Sequence, residues 1–516
     1  MKSIIGKETV QRELPDILYD ESRYTLGIPE RVYYPENTGD VAEVIKKAMT
    51  DNRTVTVIGA QTGITGGAVP TDSCYAISFS SMRKIVRVET GSDAVPILYC
   101  QPGVTLKDIQ EFLANPSTTD FEVSGMELLS GRHWFYPPDP TEITAHLGGT
   151  VATNASGARS YTHGSTRDHV VSLSLVMANG ETMTVTRGQS VFHNGTGTFV
   201  TDQGTAFTIP ALQYQSPGIK NSAGYYYRPE MDGIDLFIGS EGTLAVFTEI
   251  GIRLYPHQTI LGGLTFFPSR TQAFQFADFL QAQDAVAAIE YFDTTALDII
   301  AANNSDAPLA IPSFPENSSA AVYWEFIERD TATFEECMDT WEEALAGCGS
   351  SFDMTWSGFD ASEMERLKTF RRAVPELVNT TIARYKKKYP SIQKVSTDCA
   401  LPPEAFAGYF DRVYRLIHEN NLQQVIFGHL GDYHIHFNII PRTQQEFDTA
   451  IVAYQKIMEI TVSCGGTISA EHGIGKYKAQ FLKKAYIPEA LQEMRKIKHI
   501  FDPKGILNPG NIFGLS

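Results

Sequence analysis

"TVTVIGAQTGITGGAVP", residues 54–70, is the stretch whose reading decides the fold. "TVTVIG" is short and β-branched, as a strand is. Gly59, Gly63, Gly66 and Gly67 follow it. Glycines there let backbone N–H groups crowd around an anion with no side chain in the way. The spacing is not G-x-G-x-x-G and no G-K-[ST] follows, so the dinucleotide fingerprint of doubly wound folds is absent. Alone, the turn suits ordinary loop chemistry as well as a cofactor phosphate. Just upstream, residues 38–53 open with capping-type residues, and Val41, Val44, Ile45, Ala48 and Met49 fall on one helical face. Helix, strand and phosphate-sized loop make an α/β start.

Working outward, residues 97–113 repeat the strand, turn and helix order, and 169–185 read as a hairpin about Asn179-Gly180. Residues 187–216 are polar and turn-rich, which predicts a surface excursion, and 235–256 return to strand and glycine turn. Near 257–260 the rhythm changes to longer amphipathic helices, 269–283 and 331–346, beside strand-like "AAIEYFD" (287–293) and "AVYWEFIE" (321–328). The expected division is 1–257, an α+β substrate domain over 258–480, and a C-terminal helical segment over 481–516.

Composition narrows the class. At 516 residues the chain is too long for one ordinary core. A net charge of −18 argues against a nucleic-acid surface. The basic run "RYKKKYP" (384–390) reads as a solvated loop face, with a dock for an acidic electron carrier as its functional alternative. The six cysteines contain no C-x-x-C pair, which excludes the usual iron–sulfur and structural zinc patterns and suits a reducing, cytoplasmic setting. No signal-peptide pattern opens the chain and no apolar run approaches a membrane span, so any membrane association is expected to be peripheral.

Two stretches carry chemistry. "FGHLGDYHIHFNII" (427–440) holds His429, His434 and His436. The alternation after the turn puts His434, His436 and Asn438 on one face. His429, seven residues before His436, would face the other way in an unbroken strand, but Gly428 and Gly431 mark a turn that can re-aim it. "GGTISAEHGIGKYK" (465–478) adds Glu471 and His472. Two imidazoles and a carboxylate with open positions suit a divalent metal, while a half-buried strand that happens to carry imidazoles remains the plain alternative.

Three further segments share the glycine-rich character of the first: "YPPDPTEITAHLGGTVATNASGARSYTHGSTRDHV" (136–170), "KNSAGYYY" (220–227) and "FIGSEGTLAVFTEIGI" (237–252). Together these motifs resemble the FAD-binding domain of the vanillyl-alcohol oxidase and p-cresol methylhydroxylase superfamily, in that family's order and over nearly the whole chain. Within it the chain looks most like the FAD-linked D-2-hydroxy-acid dehydrogenases, the branch of D-lactate dehydrogenase, the glycolate oxidase FAD subunit and D-2-hydroxyglutarate dehydrogenase. The resemblance implies an α+β fold: an FAD domain of two α/β subdomains, a substrate domain, and a C-terminal segment returning to the flavin.

It also implies site residues. Ala60, Gln61, Thr62, Gly63, Ile64, Thr65, Gly66 and Gly67 occupy the family's pyrophosphate cradle. Relatives commonly carry an extra glycine at Ala60 or Gln61, but Thr62 and the Gly66-Gly67 pair are retained. Pro138, Asp139, Gly148, Gly149, Asn154, Ser156, Gly157 and Gly164 fall in the second flavin segment, Glu241, Gly242 and Thr243 in the third, and Asn508 in the C-terminal one. No covalent attachment signature is present, so noncovalent FAD is expected. By the same resemblance His429, His436 and Glu471 are the ligands of a divalent metal (Zn²⁺, with Mn²⁺ or Fe²⁺ as alternatives), and His472 is the base facing flavin. Arg371, with Arg372 as fallback, Lys394 and Asn438 complete the substrate group. His434 stands where relatives often have Asn and is expected as a supporting group or pocket wall rather than a further ligand. Pro375 replaces a threonine found in relatives specialised for dicarboxylates, which argues against a 2-hydroxyglutarate-type substrate.

The expected activity is oxidation of a D-2-hydroxy acid, D-lactate first, with electrons passed to a quinone, a cytochrome or an electron-transferring flavoprotein. A homodimer is left open. The rivals are an alkyl-glycerone-phosphate synthase-like FAD enzyme and a non-catalytic flavoprotein subunit of a larger redox complex.

Overall fold

In a computed structural model describing residues 1–91, 93–116, 122–304, 311–328 and 331–515, the amphipathic stretch at the start is helix Thr38–Thr50. Asn37 caps it by accepting the Asp40 N–H at 3.0 Å. Val41, Val44, Ile45 and Ala48 are buried against Val55, Tyr75 and Ile77. The chain forms two compact units, one of residues 1–157, 164–257 and 469–516, the other of 158–163 and 258–468.

The first unit holds two main sheets. One runs Lys2–Ile5, Arg31–Tyr34, Tyr75–Ser78, Val55–Ile58, and its last two pairings are parallel. The other runs Ile85–Thr90, Pro96–Cys100, Ala245–Arg253, Val170–Met177, Thr182–Thr186, all antiparallel. Val170–Met177 and Thr182–Thr186 are the expected hairpin around Asn179-Gly180. Residues 506–508 return to Val55–Ile58, where Val55 donates to Ile506 O at 2.7 Å and Asn508 to Val55 O at 2.8 Å.

Three local expectations need correcting. The 187–216 stretch is not merely a surface excursion. It contains the hairpin Gly197–Val200 and Ala206–Ile209, and the rings of Phe199 and Phe207 lie 5.7 and 5.2 Å from that of Phe501. Its few apolar residues are diluted by polar ones in sequence, yet the pleat gathers them on one face. Residues Ile234–Phe237 are a buried helical turn rather than strand. The basic run begins inside a helix, since Arg384 and Lys386 occupy the last turn of Ala361–Lys386, where cations suit the C-terminal carbonyls.

The second unit is built on one eight-stranded sheet. Its path is Thr355–Gly358, Thr259–Phe267, Ala320–Glu328, Val286–Asp293, Gln424–His429, His434–Ile439, Val395–Ser396, with Cys399–Ala400 also paired to His434–Ile439. Helix Ala361–Lys386 packs Met364, Leu367, Phe370, Val374 and Val378 onto it. The chain rejoins the first unit at Ser469, ahead of the expected 481, because segment 469–478 is hydrogen-bonded there: Ser222 N donates to Ser469 O at 2.8 Å and Lys476 N to Thr65 O at 3.0 Å.

Candidate functional site

In the first unit the glycine turn is held from behind. Lys476, buried, donates from Nζ to Gly66 O (3.3 Å), Gly67 O (3.1 Å) and Asn511 Oδ1 (2.7 Å). Burial pushes its ammonium pKa down to about 8. Gln61 sits at φ 59 and its amide donates to Asp16 O at 2.9 Å and to Tyr19 O. The glycines of these loops do different jobs. A Cβ at Gly148 would lie 2.6 Å from Pro102 Cβ and one at Gly157 2.3 Å from Asp139 O, so there the backbones must touch. A Cβ at Gly63 or Gly67 would meet nothing nearer than 3.9 or 3.8 Å, and at Gly149 nothing within 4 Å. Gly149 thus borders open space, and Gly63 and Gly67 meet their neighbours only at ordinary contact distance, so none of the three is a glycine for want of room in the chain.

Glu241 ties the unit together. Its carboxylate accepts the N–H groups of Ile474 (2.6 Å) and Gly475 (2.7 Å), and its carbonyl accepts the amides of Asn508 (2.7 Å) and Asn511 (3.1 Å). Burial raises its carboxyl pKa to about 7, and the two backbone donors work against that rise. Asn508 Oδ1 accepts the Val57 N–H at 2.7 Å. Asn154, left-handed at φ 51, accepts the Arg167 N–H at 2.9 Å, and Thr243 Oγ1 donates to Ser240 O at 2.6 Å. So Glu241, Asn508, Asn154 and Thr243 shape the loops with their side chains. Glu471 lies against Lys220 (3.1 Å), Ser156 Oγ (3.3 Å) and His472 Nε2 (3.5 Å). The His472 carbonyl accepts from Thr65 Oγ1 at 3.4 Å, so the residue expected as base is fastened to the glycine turn.

In the second unit the opening turn of the histidine stretch resolves as a hairpin. Gln424–His429 and His434–Ile439 are antiparallel with His429 directly opposite His434, and Tyr433 turns the chain at φ 51. His429 therefore shares a face with His434 and His436. One nitrogen from each ring lies within 4.8 Å of one from each of the others. Each ring also has a nitrogen against an oxygen: His429 Nδ1 and Glu290 Oε1 at 2.5 Å, His436 Nδ1 and Thr397 O at 2.9 Å, His434 Nε2 and Asp398 Oδ1 at 3.1 Å. A metal-binding imidazole usually gives its second nitrogen to such an acceptor, which sets the tautomer. The donor set fits a borderline divalent ion.

Glu290 also faces Arg371 Nε at 3.6 Å, so the expected carboxylate-binding arginine and one expected metal ligand share a buried acid. Arg372 points away and pairs with Glu365 at 3.1 Å with more than half its side chain exposed. Lys394 is half-buried beside strand Val395–Ser396, and burial lowers its ammonium pKa. Asn438 is buried and its amide donates to Val425 O (3.2 Å) and His436 O (3.3 Å), which braces the hairpin. Glu290 and Asp398 were not legible as site residues; Glu290 lies within strand Val286–Asp293, and Asp398 between the short strands Val395–Ser396 and Cys399–Ala400. Lys476 lay in a quoted motif without a role. A second buried pair, Arg159 Nε to Glu325 Oε2 at 2.7 Å, also lies in this unit.

The chain belongs to the FAD-linked oxidases. Residues 29–127 and 125–186 match the FAD binding domain, and 258–512 match the FAD linked oxidases' C-terminal domain. It is similar to the D-lactate dehydrogenase of Archaeoglobus fulgidus (28% identical, 93% of this chain and 90% of that one). It is also similar to glycolate oxidase subunit GlcD of Bacillus subtilis (26%, 96% and 91%) and to the D-2-hydroxyglutarate dehydrogenase of Stutzerimonas stutzeri (26%, 96% and 93%). Within the family it falls in the branch of FAD-linked D-2-hydroxy-acid dehydrogenases. A solved alkyldihydroxyacetonephosphate synthase shares the fold at 14% identity and a TM-score of 0.59, over 94% of this chain and 76% of that one. FAD is the cofactor of the first unit.

Proposed function

We propose that the protein oxidises a small D-2-hydroxy acid, D-lactate foremost, to the 2-oxo acid and passes the electrons to a quinone, cytochrome or electron-transferring flavoprotein. The observation that carries it is Glu290, one buried carboxylate touching both a metal-capable imidazole, His429, and a guanidinium, Arg371. A 2-hydroxy acid can use both kinds of group, a fixed cation for its carboxylate and a Lewis acid for its hydroxyl.

Arg371 grips the substrate carboxylate, and Glu290 keeps the guanidinium in place. Lys394 adds positive charge on the same unit. His472 takes the hydroxyl proton, help typically worth about 10²–10⁴-fold in rate. Bound FAD supplies the two-electron acceptor for the hydride on C2. A divalent metal held by His429 and His436 supplies Lewis acidity toward the hydroxyl. Glu471, which the family resemblance adds as a ligand, is tested by the metal content of Glu471→Gln. Pro375, inside helix Ala361–Lys386, stands where relatives specialised for dicarboxylates carry threonine, and by that resemblance it favours a monocarboxylate substrate.

Anaerobic flavin bleaching across a panel of D- and L-2-hydroxy acids tests the proposal. D-lactate is expected to bleach the flavin and L-lactate to leave it yellow. If no 2-hydroxy acid bleaches it, a synthase-like reaction without net oxidation, or a non-catalytic subunit, takes its place.

A further inference from the structure

We propose that His434 is itself a metal ligand, so that the histidine hairpin of the second unit offers three imidazoles to one ion instead of two. This rests on the metal reading above and departs from the sequence expectation, which made His434 a supporting group or wall.

The register is the first argument. His434 stands directly across from His429 and two residues before His436 on the same strand. Its ring centroid is 5.3 Å from that of His429 and 4.5 Å from that of His436, while His429 and His436 are 5.8 Å apart. The disputed ring thus lies nearer to each accepted ring than they lie to one another. A wall residue has no reason to sit between two ligands with a nitrogen within 4.8 Å of each.

The second argument is the strand behind. Val395–Ser396 and Cys399–Ala400 pair with His434–Ile439 in one continuous register, and Thr397 and Asp398 lie between them. Thr397 uses Oγ1 to accept the Phe437 N–H at 3.0 Å, which leaves its carbonyl for His436 Nδ1. Asp398, 1% exposed, reaches the next ring along, His434, which is wholly buried. Adjacent residues of the link between the two short strands therefore lie against successive rings of strand His434–Ile439, and Glu290 lies against His429. Each imidazole thus has an oxygen beside one nitrogen, at Nδ1 in His429 and His436 and at Nε2 in His434. An asparagine at 434 offers a neutral amide, a weak donor to a transition metal, where an imidazole is a strong one. The third imidazole shifts the site toward Zn²⁺, Co²⁺ or Fe²⁺ and away from Mg²⁺ or Mn²⁺.

The holoenzyme is stripped with a chelator, reloaded with Zn²⁺ or Co²⁺, and compared with His434→Asn, Asp398→Asn and His436→Ala. Zinc-edge X-ray absorption counts imidazoles directly, and the count is expected to fall by one in His434→Asn and to stay unchanged in Asp398→Asn. Zn²⁺ affinity, read by competition with a chromophoric chelator, is expected to drop by at least about 100-fold in His434→Asn, beyond the roughly 10–100-fold typical of losing an outer partner such as Asp398. Added imidazole is expected to restore the Co²⁺ spectrum of His434→Gly. If wild type binds no divalent metal, the metal reading itself falls. If wild type binds metal and His434→Asn keeps its imidazole count and affinity, only the ligand role of His434 is overturned. A thermal melt separates either result from misfolding.

Discussion

At the scale of single residues, the two histidine motifs have come apart into unequal members. His472 is half-buried, and its carbonyl is fixed to Thr65 of the glycine turn, so its backbone position does not depend on its ring. His472→Ala is therefore expected to retain yellow flavin and lose anaerobic bleaching by D-lactate by about 10²–10⁴-fold in rate. Rapid bleaching in that variant would remove His472 from the role of base. A Cβ at Gly63, Gly67 or Gly149 would clash with nothing in the chain, whereas one at Gly148 or Gly157 would collide with neighbouring backbone or proline.

At the scale of elements, sequence periodicity is a good guide for some of those that bury one face. Helix Thr38–Thr50 and the hairpin around Asn179-Gly180 follow from spacing and turn chemistry. Asp398, Glu290 and Lys476 did not, because their roles come from partners far along the chain, and no local pattern encodes a pairing across 139 or 410 residues. The hairpin within 187–216 was hidden for a related reason: its phenylalanines meet Phe501, far beyond any local window.

Two tests belong to this scale. Lys476→Met removes one cation from three oxygens behind the glycine turn, and flavin affinity is expected to fall roughly 10-fold or more, about 1.5–3 kcal/mol for hydrogen bonds to a charged group. Unchanged flavin binding in a dialysis titration would argue that the turn holds its shape unaided. The Arg159–Glu325 pair gives a pH signature. Burial alone would raise the Glu325 carboxyl, but the Arg159 guanidinium and the Tyr323 hydroxyl bring its pKa down to about 2. A carboxyl lower in the folded than in the unfolded chain contributes stability in full above about pH 4.5 and loses it as pH falls toward 2. Arg159→Met is expected to cost about 3 kcal/mol at neutral pH. Its melting temperature should also fall less steeply than wild type's below pH 4.5; parallel curves would mean another acid governs that limb.

At the scale of the whole molecule, the cofactor residues and the histidine hairpin lie in different compact units. Chelation is therefore expected to abolish bleaching by substrate while flavin absorbance stays with the protein, and Zn²⁺ or Co²⁺ to restore turnover. Full activity in demonstrably metal-free enzyme would sink the metal reading, and loss of flavin on chelation would show that the two sites are not separable. No helix among the described residues is long and apolar enough to cross a membrane.

The first unit is closed by chain made long after its first strands. The Val57 N–H, on the strand that precedes the glycine turn, finds its acceptor on Asn508, 451 residues later. At about 5–20 residues per second, roughly 20–90 seconds of synthesis separate the two. Until residue 476 is made the nascent unit lacks the lysine behind the glycine turn, and until residue 508 it lacks the acceptor for the Val57 N–H. The glycine turn and the strand before it therefore gain their full set of hydrogen bonds only late in synthesis.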